Sequence, residues 1–219
     1  MDIKLENVTK NIKGSIVLNN ISMDIKPNVI TGLSGINGSG KTMLMRTISG
    51  LILPSHGKVI IDEKTLGKDM QFPDSIGVLI ENPSFLDTYS SFENLKFIAE
   101  IRCRIDDEQI LSTIKRVGLN PKDKKKYKKY SLGMKQRLGI AAAIMEQPQL
   151  ILLDEPTNAL DSDGVEMIKA IVKEEKRRGA NIIISCHDKT VLRELSDEIF
   201  YLQEGKITDY EKLTETERE

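Results

Sequence analysis

The sequence of 219 residues has few cysteines, no excess of either charge and no long apolar run. Its two cysteines, Cys103 and Cys186, have no metal-ligand spacing and do not suggest a disulfide framework, so we expect a reducing cytoplasm. Lys and Arg number 32 and Asp and Glu 33, and the resulting net charge of −1 gives no global attraction to nucleic acid.

Membrane-directed segments are also missing from the pattern. The N-terminus MDIKLENVTK is polar and lacks an apolar signal core. No apolar stretch approaches the ~20 residues that span a bilayer. We therefore expect a soluble protein that reaches a membrane only through a partner. Its length allows one large α/β domain with a substantial core.

Short apolar runs alternate with helical patterns along the chain. Runs bounded by glycine, proline or charge predict strands at 29–33, 150–153 and 181–185. Apolar residues at three- and four-residue spacing from about Ser91 to Gly118 predict a helical insertion. Strands alternating with helices indicate a mainly parallel sheet covered on both faces. The residues after Leu202 are expected to form a charged tail.

Two further stretches depart from this alternation. Near the N-terminus, the segments 3–8, 15–18 and 21–25 predict short half-buried strands. Residues 122–130, KDKKKYKKY, form the only strong charge run. Anionic lipid or nucleic acid could bind there, but a solvated connection beside a helical lobe is the simpler interpretation.

The most informative motif is GINGSGKT, residues 35–42, between a predicted strand and a helix-compatible stretch that stops at Gly50. It fits the phosphate-binding loop G-x-x-x-x-G-K-[ST], whose glycines let backbone N–H groups face a triphosphate at a helix N-terminus. Lys41 supplies a charge for the β- and γ-phosphates, and Thr42 supplies a hydroxyl for Mg²⁺. The predicted ATP-binding residues are Gly35, Asn37, Gly38, Ser39, Gly40, Lys41 and Thr42.

A second motif, LILLDE at 150–155, is a buried strand that ends in two acids. The carboxyl end of such a strand is where an open α/β sheet holds its ligand. Asp154 fits the Mg²⁺-organising acid that accompanies a phosphate-binding loop, and Glu155 is the candidate base for an attacking water. The alternative, an acidic pair that merely starts a turn before Pro156, is disfavoured by the phosphate-binding loop. These features indicate a P-loop NTPase.

The stretch YSLGMKQRL, residues 130–138, narrows this class. It resembles the signature motif of ATP-binding cassette (ABC) ATPases, which usually reads L-S-G-G-Q. The resemblance implies that Ser131 and Gly133, at a helix start, cap the γ-phosphate of ATP on the opposite subunit. By itself the stretch is an ordinary helix N-cap. NALD, residues 158–161, resembles the family's D-loop, so Asp161 would act across the dimer. His187 occupies the place of the switch histidine, which holds Glu155 and water.

The resemblance covers about residues 1–202 and implies a fold and its divisions. We expect an α/β, RecA-like P-loop NTPase core with a mainly parallel sheet, an N-terminal antiparallel β subdomain and an inserted helical subdomain. The whole chain, 1–219, would be a single ABC ATPase domain. Residues 1–82 and 140–219 would form the nucleotide-binding core, and residues 83–139 the helical subdomain with the signature motif.

Two residues depart from the common family pattern. Ile12 stands where an aromatic side chain usually stacks on adenine, and it offers apolar contact without a π face. Glu81 replaces a glutamine that usually faces Mg²⁺, and a carboxylate there can ligate the metal but would oppose phosphate when metal is absent. The predicted metal set is Thr42, Glu81 and Asp154. Glu81 and the signature resemble the branch that exports, or confers immunity to, peptide antibiotics such as bacitracin and lantibiotics.

The resemblance therefore implies an ATPase that powers a separate membrane permease. Its ATP and Mg²⁺ would lie between two copies of the chain. The two copies would be bound peripherally at the cytoplasmic face of the membrane through the permease. Glu81 and the lobe from Pro83 to Gly118 would dock the permease, and no nucleic acid partner is expected. Translation or repair factors of the family are an alternative, although this chain has one cassette and only about fifty residues between Glu81 and Ser131. A scaffold that binds ATP without hydrolysis is another.

Overall fold

The computed structural model describes residues 1–214, in which ten strands and six α-helices are present. The strands are β1 (Ile3–Ile12), β2 (Ser15–Ile25), β3 (Ile30–Ser34), β4 (His56–Ile61), β5 (Lys64–Thr65), β6 (Ile76–Leu79), β7 (Leu150–Leu153), β8 (Asn181–Ser185), β9 (Glu198–Gln203) and β10 (Lys206–Lys212). The helices are α1 (Lys41–Ile48), α2 (Ser91–Arg102), α3 (Asp107–Arg116), α4 (Leu132–Ile144), α5 (Ser162–Arg177) and α6 (Lys189–Leu195). None of these helices is long and apolar enough to cross a membrane.

The central sheet has the strand order β10-β9-β3-β8-β7-β6, and every neighbouring pair except β10–β9 is parallel. Both faces are covered, because successive residues of a strand point in opposite directions. In β7, Ile151 and Leu153 belong to a core shared with the helices, whereas Leu150 and Leu152 belong to a core shared with α1 and the N-terminal strands. The predicted mainly parallel, doubly covered sheet is confirmed.

The N-terminal strands form a second, antiparallel sheet with the order β2-β1-β4-β5. β2 is one strand over Ser15–Ile25, where the sequence pattern predicted two. The pairing with β1 shifts register between Val8 and Lys10, and Asn20 adopts a positive φ of 55° there. The backbone N–H of Asn20 donates to the Thr9 hydroxyl at 3.0 Å. This irregularity interrupts the alternation without ending the strand.

The helical insertion predicted from about Ser91 to Gly118 contains α2 and α3, and the predicted helical subdomain, 83–139, also contains the start of α4. A left-handed Cys103 (φ 52°) ends α2, and the Asp106 side chain caps α3 by accepting from the Gln109 N–H at 2.9 Å. The signature helix α4 continues to Ile144 and packs against β6. A division at residue 139 would therefore cut a helix, and the division into subdomains stays a proposal.

The predicted charged tail is wrong over Lys206–Lys212, which pairs with β9 as β10. Two of its side chains, those of Tyr210 and Glu211, are held by other side chains of the sheet and of α6. Glu211 accepts from the Arg193 guanidinium at 2.6 Å, and Tyr210 donates to Glu198 at 3.0 Å. Residues 215–219 of that predicted tail lie outside the described residues.

The lysine run is anchored by its two tyrosines, which are both buried. The Tyr127 hydroxyl donates to the Pro83 carbonyl at 2.5 Å, and the Tyr130 hydroxyl accepts from the Ser91 N–H at 3.2 Å. Five of the six lysines between 122 and 129 are exposed. The segment is therefore a fixed connection that leads into the signature helix, with its charges toward solvent.

Candidate functional site

A cavity of about 440 Å³ opens where the carboxyl ends of β6 and β7 meet the start of α1. Such an edge is where open α/β sheets bind ligands. Among the described residues it is lined by Ile16, Val17, Asn37, Gly38, Ser39, Gly40, Lys41, Thr42, Met43, Arg46, Glu81, Asp154, Glu155, Glu204 and Gly205. Nine of the sequence-predicted site residues are in this set.

The loop 35–42 has the backbone geometry that its glycines allow. Gly40, the N-cap of α1, has φ 109°, which other residues rarely adopt. At Gly35 a Cβ would lie 2.4 Å from the Leu202 carbonyl oxygen, so the loop passes too close to β9 for a side chain. The Ser39 hydroxyl is buried without a hydrogen-bond partner in residues 1–214. This enclosed loop at a helix N-terminus suits an anion.

Lys41 is buried, and its ammonium group is turned back onto the loop that carries it. The Nζ atom donates to the Gly35 carbonyl at 2.6 Å and to the Ile36 carbonyl at 3.2 Å. Both acceptors are neutral backbone oxygens. A phosphate group would offer a charged and therefore stronger acceptor to the same ammonium.

Asp154 ends β7 and is fixed from two sides. Its Oδ2 accepts from the Thr42 hydroxyl at 2.6 Å, and its Oδ1 accepts from the Ser185 hydroxyl at 2.7 Å. The side chain is buried. Residues 112 positions apart thus bring a hydroxyl and a carboxylate together beside the phosphate loop.

Glu155 follows in a left-handed conformation (φ 50°) and has its own set of contacts. Oε2 accepts from the His187 backbone N–H at 2.8 Å. Oε1 is buried without a hydrogen bond in the described chain and lies 3.6 Å from the His187 Nε2. Burial raises the pKa of this carboxyl group and outweighs the opposite effect of His187 and Lys41. A free, partly desolvated oxygen is what a general base for water requires.

Glu81 also lines the cavity, and it has a partner that the sequence did not reveal. Its Oε1 is 2.6 Å from Nη2 of Arg46. Arg46 is on α1, four residues after Thr42, so the two side chains share one face of the helix. The carboxylate predicted to face a metal is therefore paired with a guanidinium in this structure.

The other predicted residues lie outside the cavity lining. Ile12 pairs with Ser15 beside the β1–β2 turn, and Ile16 lines the cavity instead. Ser131 is exposed as the N-cap of α4, where its hydroxyl accepts from the Met134 N–H at 3.2 Å. Asp161 caps α5 by accepting from the Gly164 N–H at 2.9 Å.

The remaining three predicted residues, Gly35, Gly133 and His187, also lie outside this lining. Gly133 packs so tightly on the D-loop that an added Cβ would lie 2.9 Å from the Ala159 carbonyl. His187 lines a neighbouring cavity of about 430 Å³ together with Gly35 and Ile36. The phosphate loop thus has His187 and Glu155 at its sides, and Ser131, Gly133 and Asp161 are not part of either lining.

Sequence reasoning missed Ile16, Arg46 and the turn Glu204–Gly205. The turn closes the β9–β10 hairpin onto the phosphate loop, since the Gly205 N–H donates to the Ser39 carbonyl at 2.9 Å. The available signals were weak. Arg46 stands one turn after Thr42 on α1, and Glu-Gly separates two strand-like runs. Ile16 is exposed by 54%, which its position in an apolar run did not suggest.

Comparison with known proteins agrees with this geometry. A family model described as "ABC transporter" matches residues 18–158. The ABC transporter ATP-binding protein YybJ of Bacillus subtilis (strain 168), described as uncharacterized, is 47% identical over 96% of this chain and 97% of its own length. The lantibiotic transport ATP-binding protein SrtF of Streptococcus pyogenes is 35% identical over 94% of this chain and 88% of its own.

A solved structure shares the fold. It is described as a dimeric, post-hydrolysis state of the ATP-binding cassette MJ0796 bound to ADP and Pi. Its TM-score to this chain is 0.87, with 28% sequence identity, and the match covers 97% of this chain and 99% of that one. The predicted cassette fold and the resemblance to the peptide-antibiotic branch are confirmed.

Proposed function

This chain belongs to the ABC transporter family as an ATP-binding, ATP-hydrolysing subunit, and we propose that two copies of it enclose ATP and drive a separate membrane permease. The observation that carries the proposal is the position of Glu155. Its unpartnered, buried oxygen stands beside a phosphate-binding loop and 3.6 Å from a histidine. These are the groups that hydrolysis of a phosphoanhydride requires.

We assign the phosphate contacts to the loop and to Lys41. The start of α1 lines the cavity, so its N–H groups would donate to the phosphates, and Lys41 would exchange its two backbone acceptors for phosphate oxygens. Asn37, Gly38, Ser39 and Gly40 line the cavity beside it. Ile16, rather than Ile12, would then contact the adenine base without stacking on it.

We assign Mg²⁺ to Thr42 and Asp154, with Glu81 as a candidate third residue. Hydroxyl and carboxylate oxygens are the ligands this hard cation prefers, and the two already meet at 2.6 Å in a partly buried position. When bound, the metal would neutralise charge on the β- and γ-phosphates. Glu155 would accept the proton of the attacking water, and His187 would hold Glu155 and contact the γ-phosphate.

We propose that the signature residues complete the site of the partner copy. Ser131 is exposed at a helix N-terminus, where an anion is favoured, yet within residues 1–214 it is not among the residues that line the phosphate cavity. Exposed apolar side chains mark both surfaces that would meet: Ile36 on the phosphate loop is 76% exposed and Leu132 is 74% exposed. Asp161 would act across the same interface. The neighbour MJ0796 is described as dimeric.

We further propose that the permease is an exporter of peptide antibiotics or similar compounds, which places this subunit at the cytoplasmic face of the membrane. The similarity to SrtF, a lantibiotic transport ATP-binding protein, supports a peptide cargo. In a strain that carries the chain and its permease, Glu155→Gln should abolish resistance to the transported peptide and leave resistance to unrelated drugs unchanged. Full resistance in that variant would contradict ATP-driven export.

The shared site is tested with a variant that traps the ATP-bound dimer. Glu155→Gln should keep ATP binding but slow hydrolysis by about 10²–10⁴-fold, since a general base contributes that much. Uncleaved Mg-ATP should then hold a dimer in size-exclusion chromatography. Adding Ser131→Ala to the same protein is the matched control, and it should return the chain to a monomer. A Glu155→Gln protein that is saturated with ATP but monomeric would contradict the proposal.

A further inference from the structure

The pair between Arg46 and Glu81 joins the two walls of the nucleotide cavity. Arg46 projects from α1, the helix that starts at the phosphate loop, and Glu81 follows β6 in the segment that leads to the helical insertion. Their closest atoms are 2.6 Å apart, and both residues line the cavity. A cation and an anion therefore stand where a highly anionic ligand must enter.

The backbone fixes Glu81 in this place. Glu81 has a positive φ of 60°, so its side chain leaves β6 in a direction that a regular strand would not give. The preceding strand is tied to the metal-binding acid, because the Asp154 N–H donates to the Leu79 carbonyl at 2.7 Å. On the other wall, Arg46 follows Thr42 by one helical turn. The pair thus lies one turn away from the Thr42–Asp154 contact.

Each partner has an opposite effect on an incoming triphosphate. A free Glu81 carboxylate would repel it, whereas a free Arg46 guanidinium would attract it. Paired, the two largely cancel. Both side chains are partly exposed, at 30% for Arg46 and 59% for Glu81, so the pair is weak enough to be broken by a better ligand.

We propose that Arg46 is a positioning residue that holds Glu81 away from the nucleotide as long as the carboxylate does not ligate a metal ion. In the absence of metal, Arg46 screens the phosphates from Glu81. With Mg-ATP bound, the Glu81 carboxylate would be available as a ligand for the metal, and the contact between α1 and the segment leading to the insertion would be released. This inference rests on the proposed function of the cavity.

A double-mutant cycle on ATP affinity tests this role. The wild type, Arg46→Gln, Glu81→Gln and the double variant are titrated with ATP, once in EDTA and once in excess Mg²⁺. In EDTA, Arg46→Gln should weaken binding about three- to fivefold, because it exposes an unpaired carboxylate; this is the range of a partly exposed ion pair. In the Glu81→Gln background the same substitution should cost clearly less affinity than in the wild type, because only the attraction of Arg46 is lost there and no carboxylate is left to approach the nucleotide. In Mg²⁺ its effect should nearly vanish.

Two controls test whether the effect depends on a cation at position 46 rather than on the net charge of the protein. Lys58→Gln removes a cation that is paired with Glu6 at 3.0 Å on the outer sheet, and it should leave ATP affinity unchanged. Arg46→Lys keeps the charge and should restore affinity to within about twofold of the wild type. Because the pair is partly exposed, the coupling should shrink as the salt concentration rises.

The remaining outcomes overturn the inference. An equal loss from Arg46→Gln in both backgrounds would show that Arg46 acts on the nucleotide through its own charge and does not position Glu81. Superimposable curves for all four proteins in EDTA would show that the pair does not act on ATP. If none of the four proteins, the wild type included, binds ATP even with Mg²⁺, the proposed function itself fails, and this result is distinct from additivity among proteins that do bind.

Discussion

The phosphate-binding surface (loop 35–42 with Asp154 and Glu155) and the signature surface (residues 131–137) differ in how complete they are. The first is enclosed by strand ends, by the β9–β10 hairpin and by buried polar contacts such as Thr42–Asp154 at 2.6 Å. The second presents an exposed Ser131 on a helical insertion. One chain thus builds a whole pocket for phosphates. In our proposal it contributes only a covering surface to the pocket of the second copy, which is why the site needs two copies.

The two surfaces are nevertheless linked within one chain. Gln136, in the signature helix, donates to the Glu155 carbonyl at 3.1 Å. Arg137 reaches the Val117 carbonyl at 3.0 Å and Asp161 at 3.3 Å. Farther from the cavity, Arg116 of α3 contacts Glu174 and Glu175 of α5. The insertion is therefore held to the core by side chains rather than by a shared sheet.

The largest expected effect tests directly whether the two surfaces differ in how they serve the nucleotide. Lys41→Ala should weaken ATP binding by the monomer by about 10- to 100-fold, since hydrogen bonds to charged groups contribute about 1.5–3 kcal/mol. Ser131→Ala should leave monomer affinity nearly unchanged and impair dimer formation and turnover. Titration of ATP into each variant at nanomolar protein concentration measures monomer affinity.

The matched control for this contrast is Thr190→Ala, which changes an exposed residue in the first turn of α6 outside the cavity lining. It should behave as the wild type in both assays. Equal loss of monomer affinity in Lys41→Ala and Ser131→Ala would mean that Ser131 serves the nucleotide of its own chain.

A second prediction concerns the attachment of the insertion to the core. Arg116 donates to Glu175, whose side chain is only 3% exposed, at 2.6 Å. Arg116→Gln should lower the free energy of unfolding by about 1–3 kcal/mol, because a buried carboxylate loses one of its cations and keeps only Arg178. Urea unfolding measures the loss.

Lys96→Gln is the control, because the Lys96–Asp107 pair lies within the insertion and is exposed on both sides. Its effect should stay below about 1 kcal/mol. If both substitutions cost the same, the Arg116 contact does not fasten the two regions, and the insertion is held by apolar packing alone.

The smallest expected effect concerns the buried base of the phosphate-binding surface. Burial raises the pKa of the Glu155 carboxyl, so the folded chain binds its proton more tightly than the unfolded chain does. Wild-type stability should therefore fall as the pH rises through this raised pKa. Glu155→Gln should be the more stable protein above that pH, and the difference should disappear as the pH falls below the ordinary carboxyl value.

Thermal unfolding between pH 4 and pH 8 checks this, with Glu100→Gln as an exposed control in α2. A Glu155→Gln advantage that grows toward low pH would reverse the sign and show that the native state favours the ionised carboxylate. The same raised pKa should place the acidic limb of ATP hydrolysis above the ordinary carboxyl range.

Sequence alone was sufficient for the elements whose signals are local. The apolar runs of β3, β7 and β8, the phosphate-binding loop and the acids at the end of LILLDE are each written in fewer than ten consecutive residues. Their order along the chain then indicated a parallel sheet, because strands separated by helices pair in parallel. The helical insertion was recognisable by its three- and four-residue spacing.

Other features could not be predicted, because their strands carry charge or because their signal is spread over distant parts of the sequence. β10 alternates charged and apolar residues on an exposed hairpin, which resembles a solvated tail unless the partner strand β9 is known. Ile12 and Ile16 both occur in the first hairpin, and only the register of β1 against β2 decides that Ile16 faces the cavity.

The sequence by itself determined which chemistry the chain carries: glycine, lysine, hydroxyl and carboxylate in an order that specifies an ABC-type ATPase. Only the tertiary structure decided which groups meet. Arg46 and Glu81 are 35 residues apart in sequence and Thr42 and Asp154 are 112, and no local pattern encodes either contact. The physical reason is that backbone preferences extend over one or two turns, whereas side-chain pairs form wherever packing of the sheet brings distant segments together.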